Sequence, residues 1–124
     1  MERTYQDDET TGFQSPAQDY VEQAVDLADV LDLRRPSRFP VRVKGQALLA
    51  RGIHHGDVLV VDTAAAPASG CVCVAMLNGE VILAVLKREG DAWALHPAAG
   101  APVLVQGEET EIWGLVTALV RCDV

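Results

Sequence analysis

From Arg38 onward the chain is built of short apolar runs, most of them rich in valine and separated by turn signals, and this rhythm constrains the fold most. The runs cover residues 39–43, 58–62, 71–77, 81–86, 92–96, 102–105 and 112–121. Valine is stiff at χ1 and suits a pleated, half-buried surface, so each run reads as a strand. Asn78-Gly79 lies between two of them and is the strongest short hairpin signal in the chain. His55-Gly56-Asp57, Ser69-Gly70, Gly90-Asp91 and Gly107-Glu108 mark the other turns. There are no internal repeats and no long amphipathic helix. The spacing predicts an all-β domain, a twisted antiparallel barrel or sandwich.

Upstream the pattern changes. Residues 1–18 are rich in Gln, Asp, Glu, Thr, Ser and Pro and read as an extended acidic and polar arm, with the β domain over 19–124. Residues 20–25 have the alternation of a short strand, and Asp26 is placed to cap a helical turn that follows it. The 49% hydrophobic content of the 124 residues suits one globular domain with a modest core. No apolar run approaches the roughly 18 residues of a membrane helix, and no basic and apolar leader opens the chain. A soluble, cytoplasmic protein is the expectation.

The net charge of −8 is unevenly placed. Residues 1–32 carry nine acids against the single base Arg3, and the remainder is neutral with nine of each sign. A neutral body behind an acidic arm has no excess cation with which to release counterions from a phosphate backbone, so direct nucleic-acid binding is not expected. Cys71, Cys73 and Cys122 form an odd set that reads as reduced thiols. Cys71 and Cys73 fall on one strand face, where core packing is the better reading. His54-His55 has no third ligand at zinc spacing, so neither a metal nor a cofactor is expected. Trp93 and Trp113 read as core or interface, and an exposed Trp would favour a partner surface. His96 reads as a solvent-facing strand end. The run 112–120 lacks clean alternation and reads as a strand buried on both faces, either in the core or across a dimer interface.

The ordered segments 12–23 (GFQSPAQDYVEQ), 41–48 (VRVKGQAL), 52–62 (GIHHGDVLVVD), 79–86 (GEVILAVL) and 112–116 (IWGLV) resemble the LexA/UmuD family of self-cleaving serine peptidases, its UmuD branch in particular. The resemblance covers about residues 12–121. It implies a dimeric all-β peptidase domain in which a serine attacks a peptide bond of the N-terminal arm and a lysine is the general base. It also implies an SOS-response role in bacteria, or on a phage or plasmid, as accessory subunit of a translesion DNA polymerase. RecA filaments and the sliding clamp are the further partners it implies.

The resemblance puts the serine at Ala47, beside Gly45, Gln46 and Leu48, and the lysine at Ala84. Alanine supplies neither nucleophile nor base. Lys87 is three residues past Ala84 and alternation turns it to the other face, while the direction of Lys44 is open. The cleavage-site equivalent is Thr11-Gly12, where the family has a small residue before Gly; the 11 residues ahead of it leave no room for a DNA-binding domain and resemble a near-trimmed form. The expectation is a UmuD-like protein unable to cut itself that works by binding. The alternatives are an alanine-inactivated form of an ordinary self-cleaving peptidase, and a heterodimerising decoy or trans-substrate of an active UmuD or LexA homologue.

Overall fold

The computed structural model describes residues 24–46 and 48–122. Backbone contacts divide the chain into two units, Met1–Val30 and Leu31–Val124. Ala47, Thr11 and Gly12 lie outside the described residues, as do the arm over 1–18 and most of the short strand expected over 20–25; Ala24 and Val25 are not in a strand.

A short helix α1 (Leu27–Leu31) begins where the sequence predicts. The Asp26 carboxylate accepts the N–H of Ala28 at 3.0 Å, which satisfies one of the donors a helix start leaves open.

Seven strands follow: β1 (Arg38–Arg42), β2 (Val58–Asp62), β3 (Val72–Leu77), β4 (Glu80–Glu89), β5 (Ala92–Pro97), β6 (Val103–Leu104) and β7 (Thr110–Val120). They pair antiparallel in one sheet with the order β1-β2-β7-β3-β4-β5-β6, so the all-β antiparallel expectation holds. Among the described residues the ladder does not close, because β1 and β6 are both edges. Asn78 and Gly79 have φ of 52° and 85°, the two positive values that a tight hairpin between β3 and β4 requires. Among the described residues no helix is long and apolar enough to cross a membrane.

The core is divided by the pleat of β3. Its Val72 and Val74 join Val43, Leu48, Ile53, Leu59 and Val61 in one apolar cluster. Cys73 and Ala75, which alternate with them, join Ala84, Leu86, Leu95 and Leu115 in a second. Cys73 is completely buried and Cys71 packs beside the same cluster, so the two thiols share a face as expected.

Two readings need correction. Strand β7 is not buried on both faces within the core of one chain: Glu111, Trp113, Thr117 and Leu119 are exposed, so only burial across an interface is left of that reading. Its alternation is broken by two bulges. Thr117 is the extra residue opposite Val60/Val61, and Trp113 the extra residue opposite Val74/Ala75. His96 does not end its strand, since β5 runs on through Pro97, and its Nε2 lies 3.1 Å from the Glu89 carboxylate.

The edge strand β1 carries a proline for a legible reason. Thr63 N–H donates to Ser37 O at 2.8 Å, and Val43 N–H to Asp57 O at 2.8 Å. Those two pairs set the phase of the ladder, so Phe39 and Val41 face β2 with their backbone groups while Arg38, Pro40 and Arg42 face outward. The missing N–H of Pro40 therefore falls on the free edge, where it costs no ladder bond and blunts the edge against pairing.

Candidate functional site

The segment from Val43 to Asp57 is a loop zipped at three levels. At its base Val43 N–H donates to Asp57 O, and Gly56 N–H donates to Val43 O at 2.9 Å. Midway the N–H of Gly45 donates to Nδ1 of His55 at 2.9 Å, which places the proton of a neutral imidazole on Nε2. At the tip Leu48 bridges Ile53, and both side chains enter the first core cluster. A single 3₁₀ turn, Leu49–Arg51, lies between them and ends at Gly52 in the left-handed region with φ 76°. Gly45, at φ 85°, and Gly56, at φ 90°, are the other positions here that need glycine. Gln46 is exposed and Leu48 buried.

Asp57 fastens this loop to the end of the last strand. Its carboxylate accepts Nε and Nη2 of Arg121, each at 2.7 Å, and the backbone N–H of His54 at 2.8 Å. The same Nη2 reaches Gly52 O at 2.7 Å. The Arg121 hydrogen bond, then that of His54, hold the Asp57 carboxyl well below the usual carboxylate range. An equivalent pairing operates at Asp62, whose carboxyl is lowered chiefly by the N–H of Ala64 and which also accepts Arg38 Nε at 3.1 Å.

Ala84 sits in the middle of β4, completely buried, facing Cys73 on β3 and Pro97 on β5. Its surroundings are those of the second core cluster. Burial pushes the neighbouring Cys73 thiol up to about 11, with the nearby Cys71 a smaller cause, so it is neutral at ordinary pH. An amine placed here would be driven toward its neutral form by the same surroundings. Lys87, the residue after the buried Leu86, is exposed, as alternation predicts, and Lys44 is exposed as well. The structure thus places Gly45, Gln46 and Leu48 on one built loop and Ala84 on β4. No three His, Cys, Asp or Glu side chains converge among the described residues.

Three residues of this region were not legible as a set. His55, Asp57 and Arg121 have functional-looking geometry, yet in sequence His55-Gly56-Asp57 reads only as a turn and Arg121 as a strand end. A Gly-Asp pair before an apolar strand signals a turn carboxylate. Its partner 64 residues away carries no local signal.

Comparison with known proteins gives a consistent picture. The family model described as Peptidase S24-like matches residues 4–117. Protein SamA of Salmonella typhimurium strain LT2 is 38% identical over 111 residues, covering 89% of this chain and 78% of that protein. Protein ImpA of Escherichia coli is 34% identical over 113 residues, covering 89% and 77%. Protein MucA of Escherichia coli is 34% identical over 112 residues, covering 87% and 76%.

Proposed function

The chain belongs to the Peptidase S24-like family as a UmuD-like member of its LexA/UmuD group, and from that premise we propose that it works by binding rather than by self-cleavage. In this reading Ala47 and Ala84 occupy the nucleophile and general-base positions, and Thr11-Gly12 the cleavage position. The protein is a cytoplasmic bacterial dimer, the accessory or regulatory subunit of a translesion DNA polymerase, with RecA filaments and the sliding clamp as further contacts.

One observation carries the reading. Position 84 holds a methyl group, completely enclosed between Cys73 and Pro97, while the described residues of the loop 43–57 are braced by hydrogen bonds at Val43, Gly45 and Asp57. A Ser-Lys dyad needs a serine oxygen made nucleophilic by a neutral amine within hydrogen-bond reach. Neither group is encoded at the two positions, and the two lysines of the chain are both on the surface. A partner surface is also available. Trp113 and Phe39 are exposed on β7 and β1, with ring centroids 5.8 Å apart, and exposed aromatic anchors are what protein interfaces enrich.

The test is a binding titration of the purified chain with the catalytic subunit of a Y-family translesion polymerase. The expected result is a stable complex that co-elutes and is weakened by Trp113→Ala. A folded, dimeric protein that forms no such complex contradicts the accessory-subunit reading.

A further inference from the structure

Residues 33–56 contain six arginines and lysines, two histidines and no acid, directly after the acid-rich first 32 residues. The structure sorts these cations. Arg35 is met by Asp32 at 2.9 Å and Arg38 by Asp62 at 3.1 Å. Arg42 and Arg51 instead reach backbone carbonyls, Gly56 O and Gly70 O, each at 3.0 Å. Lys44 is exposed and has no partner among the described residues. Arg42 and Arg121 hold the carbonyls of Gly56 and Gly52, so they flank the same short turn. The carboxylate within that turn, Asp57, is buried and already taken by Arg121.

We propose that this surface, centred on Arg42, Lys44 and Arg51 around the loop of 44–57, binds a short acidic segment of a partner protein. A carbonyl fixes each guanidinium in place without neutralising it, which leaves a positioned fork for a carboxylate. Holding the forks in advance lowers the ordering cost of binding. Leu49, half accessible and lying between Lys44 and Arg51 in the chain, offers an apolar contact that a peptide side chain can use. The rest of the molecule selects against a long polyanion. At a net charge of −8 the chain as a whole repels a long polyanion such as nucleic acid or an anionic membrane more strongly than a short segment that carries few charges. The inference stands on the loop geometry and goes beyond the polymerase reading.

The experiment is fluorescence anisotropy of the full chain with three probes: a labelled peptide of alternating Asp and Glu around one Leu, a single-stranded oligothymidylate, and phosphatidylserine vesicles. The peptide is expected to bind, to weaken as salt rises, and to lose about tenfold or more of its affinity in the Arg42→Glu, Lys44→Glu, Arg51→Glu variant. Lys87→Glu should leave binding unchanged. The charge-keeping variant Arg42→Lys, Arg51→Lys should fall between, which separates loss of the patch from loss of fold. No peptide binding, equal binding by the Glu variant, or tighter binding of either other probe overturns the proposal. Polymerase is absent from this assay, so its failure and that of the accessory-subunit reading are separate results.

Discussion

Gly114 shows how closely the strands near the site are fitted. A Cβ built on it would lie 2.7 Å from Cγ1 of Val61 and 3.0 Å from the backbone oxygen of Asp62. The backbone cannot yield cheaply there, because Asp62 is paired in the sheet with both β1 and β7. Gly114→Ala is expected to destabilise the protein by about 1–3 kcal/mol in denaturant titration, the usual cost of overpacking. Asp57 makes a prediction of opposite kind. Its carboxyl is lowered in the folded state, so the stability it contributes is complete above the unfolded value of about 3.9 and is lost as pH falls through the lower folded value. Asp57→Asn should therefore melt well below the parent at pH 7, and the gap should narrow as pH drops under 4. A gap independent of pH would deny the Arg121 pairing its assigned role.

At the scale of elements, the strands were legible and their irregularities were not. Val58–Asp62 stands where its β-branched run predicts, and Asn78-Gly79 turns the hairpin with the two positive φ values its residues favour. The extra residues Trp113 and Thr117 hid the alternation of β7, since a bulge is decided by two neighbouring strands and not by the sequence of one. The outward phase of Pro40 likewise depends on pairing with β2. It yields a test. Pro40→Thr restores an N–H to the free edge of β1 and should raise self-association beyond the parent's own state, seen as a mass that climbs with concentration in light scattering. An unchanged mass at high concentration would mean that the proline does not guard the edge. In the candidate site, the glycines, Leu48 and Ala84 came from pattern and resemblance, while the Asp57–Arg121 clasp joined residues too far apart in the chain to read.

For the molecule as a whole, frame and chemistry come apart. One sheet supports both the zipped loop of 43–57 and the enclosed position 84, so the framework of a family peptidase is present with alanine at the two positions proposed to react. A lysine at position 84 would be a buried charge with no serine to serve, a cost without return once the nucleophile is gone. An exposed aromatic pair and a short cationic loop are the features left for recognition. The central claim is that this chain binds without cutting. Its most direct test is the intact mass of the unaltered protein after incubation with activated RecA filaments and, separately, at alkaline pH, which favours the neutral form of any lysine that could act as a base. The account predicts the full-length mass in both. Appearance of the fragment that begins at Gly12 would contradict it.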